Sequence, residues 1–252
     1  MHPILWQIGP LKIYAYGLFL AAAFAVGTYL TAKNAKQHGI AVDFILDLAL
    51  AVCAAALIGA RIGFVLLEWH YYRLHPVDIL RLSQGGLSFH GGLILGVVVG
   101  VWYCRRKEYN PWRMADIVAP AVPLGTAVAR IGCLLNGCCY GYLIDSPLGL
   151  PVALGDPRPR HPTQIYAAVL NFLLFVYLYR RRDHRRFPGY LGLTYLILYS
   201  VLRTIVEVFR ESQLLLGPIK VAQAFSFIVI IGAGLTIYLV EGKRRAKGAF
   251  SE

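Results

Sequence analysis

Long uninterrupted apolar blocks constrain this chain more than any other feature of its sequence. Each block runs for roughly 18 to 24 residues, which is enough for a helix to cross a hydrocarbon layer of ~30 Å at ~1.5 Å per residue. Of the 252 residues, 58% are hydrophobic and 15% are charged, which is too apolar for an ordinary soluble domain of this length. The sequence therefore predicts an integral membrane protein.

Seven such blocks can be counted, and all of them predict helices. A membrane-spanning strand would need about ten residues of alternating character in a closed barrel, and a run such as Leu93–Val99 does not alternate. We therefore expect an all-α membrane protein whose single membrane domain covers residues 1–252. The seven predicted transmembrane helices cover about 14–32, 44–67, 85–104, 115–136, 162–179, 189–210 and 219–241.

The formal net charge of +12 is a topology signal rather than a sign of nucleic-acid binding. Most basic residues lie in the loops after the first, third and fifth predicted helices and in the C-terminal tail, and few lie on the opposite side. The positive-inside rule then places the N-terminus outside and the C-terminus in the cytoplasm. The predicted cytoplasmic residues are Lys33, Lys36, Arg105, Arg106, Lys107, Arg113, Arg180, Arg181, Arg182, Arg185, Arg186, Lys243, Arg244, Arg245 and Lys247; the outer ones are Lys12, Arg73, Arg81, Arg158 and Arg160.

The remaining basic residues lie within the apolar blocks or at their borders. With this topology, Arg61, Arg130 and Arg203 are about six or seven residues, or ~10 Å, below the outer ends of their helices. Charges at such depth are costly and usually face a helix-bundle interior or a water-filled path. Together they predict a polar layer in the outer third of the membrane, whose members are Tyr16, Arg61, His90, Arg130, Gln164, Tyr166, Arg203, Arg210, Lys220 and Gln223.

One polar stripe follows the sixth predicted helix, where Tyr199, Arg203, Glu207 and Arg210 are spaced for a single face. Glu207 is expected to pair with Arg203 or Arg210, and the layer still keeps a positive surplus that attracts phosphate or carboxylate. Alternatively, the cations reach toward the interface or join helices. That alternative is favoured for Arg210 and Lys220, and ligand binding for Arg130 and Arg203.

A cysteine cluster and one histidine leave further alternatives open. Cys133, Cys138 and Cys139 lack the second cysteine pair or the histidines of a usual zinc site, so we expect no metal and no cofactor. A Cys133–Cys138 disulfide stays open because the predicted compartment is oxidising, and small, closely packed residues at the helix end are the favoured interpretation. His90 lies in a glycine-rich segment and is either a chemical group or a bridge between helices.

Six motifs occur in order along nearly the whole chain: Ala15–Gly17, Gly59–Gly63, Gly86–Leu93, Arg130–Gly132 with Asn136–Gly137, Arg160–Tyr166, and Arg203–Arg210. Together they resemble the prolipoprotein diacylglyceryl transferases of the bacterial cytoplasmic membrane. The resemblance implies an enzyme that moves a diacylglyceryl group from phosphatidylglycerol to the lipobox cysteine thiol of a prolipoprotein signal peptide and releases glycerol phosphate. It also implies an active site toward the outer leaflet of the inner membrane, among membrane lipids, with no cofactor.

The same resemblance implies roles for individual residues. Arg130 would hold the lipid phosphate, Arg203 would stabilise charge on the departing phosphate, and His90 would remove the thiol proton. The residues expected to bind substrate with Arg130 are Tyr16, Arg61, Asn136, Gly141, Tyr199, Glu207 and Arg210.

The chain departs from the family pattern in one segment. The family commonly reads G-R-x-G-N-x-x-N-G-E there, whereas Ala129, Cys133 and Cys138 stand at the first glycine, the first asparagine and the glutamate. These changes leave open a divergent branch with another acceptor or lipid. Two other classes also fit a seven-helix bundle: a carrier or channel for an organic anion, and a heptahelical receptor. We find no inverted repeats typical of carriers.

Overall fold

The computed structural model describes residues 3–8, 11–81, 85–211, 214–216 and 219–249. Helices occur at all seven predicted positions, and two short antiparallel hairpins that the sequence did not predict lie ahead of the first and last long helices. The helices are α1 Ala15–Gln37, α2 Val42–Leu67, α3 Trp69–Tyr72, α4 Phe89–Arg106, α5 Pro111–Val118, α6 Ala121–Leu135, α7 Thr163–Arg180, α8 Tyr190–Val208 and α9 Val221–Ala249, with a 3-10 helix at Pro76–Leu80. The strands are β1 Ile4–Ile8, β2 Leu11–Tyr14, β3 Leu214–Leu216 and β4 Ile219–Lys220.

The length and composition of the helices support a multi-pass membrane protein. Within the described ranges, α1, α2, α8 and α9 are each long and apolar enough to cross a membrane. A fifth span is formed if α5 and α6, bent by 45°, count as one. Seven spans and the orientation of the termini stay predictions.

The break between α5 and α6 corrects the expectation of one continuous helix over 115–136. Pro120 stands at the junction, where it is the residue before α6 begins. Proline has no N–H to donate to the carbonyl four residues earlier, and its ring collides with that carbonyl. A continuous helix is therefore disfavoured at this residue.

The chain folds into two compact units, Ala32–Met114 and the combination of Met1–Thr31 with Ala115–Glu252. In the smaller unit α2 packs on α4 through glycines, since a Cβ on Gly91 would lie 2.3 Å from the carbonyl oxygen of Gly59. In the larger unit α6 packs on α7, α7 on α8, and α8 on α9. α1 approaches α6 closely, because a Cβ on Gly132 would lie 2.8 Å from the Cβ of Phe19. The single membrane domain stays a prediction.

A buried carboxylate that the sequence analysis missed starts α8. Asp116 of α5 is 0% exposed and accepts hydrogen bonds from the backbone N–H groups of Gly189 at 2.8 Å, Leu191 at 2.8 Å and Gly192 at 3.0 Å. The first N–H groups of a helix have no partner within it, and a negative charge at this end also interacts favourably with the positive end of the helix dipole. Asp116 therefore joins α5 to α8 and fixes where α8 begins.

Asp116→Ala is expected to destabilise the protein by about 2–3 kcal/mol, since it removes three charge-assisted bonds and leaves buried N–H groups without an acceptor. The measurement is the midpoint of thermal or denaturant unfolding in detergent micelles. Asp145→Ala, at an exposed loop position, is the matched control and should change the midpoint little. Equal stability of the two variants would contradict this role.

Candidate active site

The end of α6 carries several predicted site residues and turns the chain sharply. Arg130 lies in the second half of α6 and Asn136 is its C-cap. Gly137 has a φ of +66°, a conformation that glycine adopts without steric penalty, and a Cβ there would lie 2.8 Å from the backbone nitrogen of Leu154. The turn directs the following residues, Cys138 and Cys139, back toward the end of α6.

The start of α7 holds this turn in place. The hydroxyl of Thr163 donates to the carbonyl of Cys139 at 2.7 Å, and the side-chain amide of Gln164 donates to the carbonyl of Cys138 at 2.8 Å. Both side chains are fully buried. Gln164, which the sequence placed in the polar layer, therefore holds the backbone beside the site.

A narrow cavity lies between α6, α7 and α8, and both central arginines line it. Its volume is about 20 Å³, roughly the space of one water molecule. Arg130, Tyr199 and Arg203 line it, and so does Asn171, whose buried Oδ1 has no hydrogen-bond partner in the described part of the chain. The remaining lining residues are Ala167, Leu170, Leu202 and Val206. This arrangement offers guanidinium donors in a small, mostly apolar enclosure.

Glu207 organises the cations on the polar stripe of α8. Its Oε2 lies 3.3 Å from Nη2 of Arg203 and 4.0 Å from Nη1 of Arg210, and its side chain is 1% exposed. The predicted pairing is confirmed, and Glu207 contacts both arginines rather than one. One carboxylate shared by two guanidinium groups leaves the face positive, as binding of an anion requires.

Lys220 joins helices rather than reaching into the interface. Its ammonium is buried, donates to the carbonyls of Glu207 and Arg210, and lies 4.9 Å from the ring centroid of Tyr142. A cation at the C-terminus of a helix satisfies its last carbonyls and opposes the negative end of its dipole. Lys220 therefore caps the C-terminal end of α8.

Arg160 anchors the long segment between α6 and α7. Its guanidinium lies 3.1 Å from Asp156 and 3.3 Å from Glu211, and 4.8 Å over the ring of Tyr140. Hydrogen bonds from Arg158, and also from Arg160, hold the pKa of Asp156 well below its ordinary value. The carboxylate thus stays ionised across physiological pH, and the segment keeps its anchor.

Gly141 is a point of backbone contact rather than a polar contributor. Its N–H donates to the carbonyl of His161 at 2.9 Å, and it forms a β-bridge with Arg210. A Cβ here would lie 2.2 Å from the carbonyl oxygen of Phe209 and 2.8 Å from the Cβ of His161. Any side chain would push apart the segments around the site.

Gly141→Ala is therefore expected to lower the unfolding free energy by about 1–3 kcal/mol through overpacking and to reduce activity at permissive temperature. Thermal unfolding and initial rates of the purified variant check this. Gly234→Ala in α9 is the control, because a Cβ there meets nothing within 4 Å. A Gly141→Ala protein as stable and active as that control would refute the packing argument.

Comparison with known proteins identifies the family of this chain. The sequence model of the prolipoprotein diacylglyceryl transferase family matches residues 3–239. The chain belongs to this family. Among relatives named phosphatidylglycerol–prolipoprotein diacylglyceryl transferase, the one from Clostridioides difficile (strain 630) is 33% identical over the full length of both chains. The relative from Bacillus cereus (strain G9842) is 33% identical over 98% of this chain and 94% of its own, and that from Bacillus mycoides (strain KBAB4) is 35% identical over 89% and 87%.

Three cysteines distinguish the site of this prolipoprotein diacylglyceryl transferase family member. The sulfurs of Cys133, Cys138 and Cys139 lie within 4.8 Å of one another, and all three are free thiols. The disulfide left open by the sequence is thus not formed in this structure. Tyr16, the second residue of α1, lies near the end of α6, since its Cα is 3.4 Å from the position that a Cβ on Gly132 would take.

The two remaining predicted site residues belong to the smaller unit. His90 is the second residue of α4, exposed, with its ring 5.7 Å from that of Phe89. Arg61 is buried, and its guanidinium donates to five backbone carbonyls between residues 78 and 86. These bonds indicate that Arg61 supports the backbone ahead of α4. Binding of substrate by Arg61 stays a prediction, and so does the role of His90 as the base. The five acceptors are Asp78, Ile79, Arg81, Gly85 and Gly86.

Asn171 and Thr163 are the residues of this region that the sequence analysis missed. A signal was present for Asn171, because an amide in the middle of the apolar run 163–180 is unusual on a lipid-facing surface. Thr163 carries no such signal. Its partner, the carbonyl of Cys139, becomes apparent only when the turn after α6 is folded.

Proposed function

We propose that this chain transfers the diacylglyceryl group of phosphatidylglycerol to the thiol of the lipobox cysteine in prolipoproteins, with release of glycerol phosphate. The full-length relationship to enzymes with that printed activity supports the reaction. The single structural observation that carries it is the enclosed pair Arg130 and Arg203, from α6 and α8. Two guanidinium groups at the boundary of an apolar environment attract an anionic phosphate, and the cavity that they line, of about 20 Å³, has to widen to admit it.

The reaction has two chemical needs. A carbon–sulfur bond forms at the glyceryl carbon while the bond from that carbon to the phosphate oxygen breaks. A free thiol with a pKa near ~8.5 is mostly protonated at neutral pH, so its proton must be removed. Negative charge also builds on the departing phosphate and must be stabilised.

Arg130 and Arg203 supply the second need in this proposal. Arg130 grips the lipid phosphate through two parallel N–H donors, which fixes the lipid as well as attracting it. Arg203 stabilises the charge that develops as glycerol phosphate leaves. Glu207, at 3.3 Å from Arg203, orients that guanidinium, and Tyr199 lies beside both arginines in the cavity.

Other residues support the reaction in this proposal. His90 is the base that takes the thiol proton, since an imidazole is a general base for chemistry near neutral pH. Tyr16 and Asn136 contribute polar groups near the end of α6. Arg61, Gly141 and Arg210 are assigned to binding of substrate or to the walls of the site. The site opens toward the outer leaflet of the bacterial inner membrane, and the chain crosses it seven times with the N-terminus outside.

This orientation makes a direct prediction for labelling with an impermeant thiol reagent on intact cells or spheroplasts. Cysteines introduced within 137–161, for example by Asp145→Cys, should react, and those within 180–188, for example by His184→Cys, should react only after lysis. Labelling is compared with that of the parent protein, since it has thiols of its own. The reverse pattern would overturn the topology and the depth of every arginine.

The reaction is tested with the purified full-length chain, phosphatidylglycerol in mixed micelles and a synthetic lipobox peptide. We expect a peptide whose mass has increased by one diacylglyceryl group in a hydroxylamine-resistant thioether. A peptide with serine in place of the lipobox cysteine is the acceptor control, and zwitterionic phosphatidylethanolamine is the donor control. Absence of product from the cysteine peptide, with a folded protein that binds phosphatidylglycerol, would reject the proposal.

A further inference from the structure

Three thiols at the end of α6 have no part in the reaction proposed above. Cys133 is buried in the last turn of the helix, and Cys138 and Cys139 are half-buried on the turn that follows. Their three sulfurs lie within 4.8 Å of one another. Three cysteines that only fill space have no reason to converge their sulfurs at one point.

The fold holds the cluster from both sides. Gly137 turns the chain, and the side chains of Thr163 and Gln164 bind the carbonyls of the two cysteines that follow it. Cys139 itself has a φ of +64°, a left-handed conformation that costs about 1 kcal/mol or more for a residue with a side chain. Glycine would suit this backbone better, so the thiol is present despite a local cost.

We propose that Cys133, Cys138 and Cys139 bind one zinc ion as three thiolates and leave its fourth coordination position open. Zn–S bonds of ~2.3 Å at tetrahedral angles place sulfurs about 3.8 Å apart, which is within the observed limit of 4.8 Å. Among the described residues, no histidine, aspartate, glutamate or further cysteine completes the set. Structural zinc sites have four protein ligands, whereas three ligands and an open position are typical of catalytic zinc.

The charges around the cluster suit this occupant. Three thiolates and Zn²⁺ carry one net negative charge, which is costly in a membrane environment unless cations are near. Arg130 and Arg210 are close enough to the cluster to interact with it electrostatically, Arg130 with Cys133 and Cys139, and Arg210 with Cys139. The bound metal would therefore be neutralised by the arginine face, which stays positive overall and able to attract a phosphate.

If the function proposed above holds, the thiol of the lipobox cysteine can occupy the open position on the zinc ion. A thiol that coordinates zinc loses its proton, which passes to the base of the reaction. Its sulfur then forms the carbon–sulfur bond with the glyceryl carbon, while the electron pair of the broken carbon–oxygen bond leaves with glycerol phosphate. Zinc keeps its oxidation state and the three protein thiolates are unchanged.

The binding site is tested on the full chain in micelles, stripped of metal and reduced with a phosphine. Titration with Co²⁺, a coloured substitute for Zn²⁺, should give one equivalent of an intense sulfur-to-cobalt charge-transfer absorption with tetrahedral visible bands, all removed by Zn²⁺. Cys139→Gly should lower cobalt affinity on the order of 100-fold or more through loss of a ligand, without lowering the thermal midpoint, since glycine relieves the left-handed backbone. Cys53→Ser with Cys104→Ser, in the smaller unit, is the matched control and should keep the absorption.

Three results would overturn the site: no charge-transfer absorption in the reduced wild-type chain, the same absorption in Cys139→Gly, or a Cys133–Cys138 disulfide in protein purified without reductant.

The role in the reaction is tested separately from the function itself. Transfer to the lipobox peptide should fall at least ~10-fold in the metal-free chain and return with Zn²⁺, while binding of phosphatidylglycerol is unchanged. If transfer is equally fast without metal, the catalytic role of zinc is rejected and the proposed function stands. If cobalt binds but no transfer occurs with or without zinc, the proposed function fails and the metal site stands.

Discussion

Arg130→Lys is expected to reduce kcat/KM for phosphatidylglycerol by on the order of 100-fold, although the substitution keeps the positive charge. A guanidinium presents two parallel donors to a phosphate, whereas an ammonium is a hydrated point charge on a flexible stem. Arg130 shares a narrow cavity with Tyr199, Arg203 and Asn171, so a lysine ammonium would meet neighbours that are placed around a guanidinium. Initial rates over a range of lipid concentrations measure the effect.

Arg158→Lys is the control for that experiment. Arg158 lies on the exposed segment before α7, where it contacts Asp156, and its substitution should leave kcat/KM unchanged. Near-normal activity of Arg130→Lys would mean that Arg130 contributes only a general positive field or helix packing.

His90→Gln and Arg203→Ala should both lower the rate at pH 7, by about 100-fold or more, but they should respond differently to pH. If His90 removes the thiol proton, a rising pH supplies more thiolate and restores part of the rate of His90→Gln. Arg203→Ala gains no such recovery, because additional thiolate cannot stabilise the departing phosphate. Initial rates between about pH 7 and 9 measure the contrast, and lipid binding is followed in parallel.

The control for the histidine is His184→Gln, at an exposed position on the segment before α8, which should match the wild-type profile. Full activity of His90→Gln at pH 7 would show that His90 is not the base. A pH gain no larger than that of Arg203→Ala would show the same. His90 would then bridge helices or position the lipid.

The parts of the fold that the sequence predicted are those set by local pattern. An apolar block of about 20 residues has few folding options in a membrane, and helices lie at each predicted block. The spacing of Arg203, Glu207 and Arg210 likewise follows from one helix face, and the ion pairs confirm it. Pro120 was a signal in the sequence for the break between α5 and α6, but the apolar run continues across it and a single helix was therefore predicted.

The parts that escaped prediction depend on partners distant in the chain. In the sequence Asp116 looks like an ordinary polar residue. Its role depends on contact with the N-terminus of α8, which lies 73 residues later in the chain. Arg61 resembles a pocket cation in sequence, and its five carbonyl partners arise only from the backbone ahead of α4. The cysteine cluster was discounted because no second cysteine pair or histidine stands near it in the sequence, whereas convergence of the three sulfurs depends on the turn at Gly137.

The central claim is that lipid cleavage and thiol modification are one coupled reaction on this chain. The most direct measurement uses phosphatidylglycerol labelled differently in the diacylglyceryl part and in the head group, incubated with purified protein and lipobox peptide. We predict that labelled glycerol phosphate is released in equal molar amount to the diacylglyceryl label on peptide, and that Arg130→Lys lowers both together. Release of head group without labelled peptide, or movement of intact lipid or anion across proteoliposomes without either product, would contradict the account.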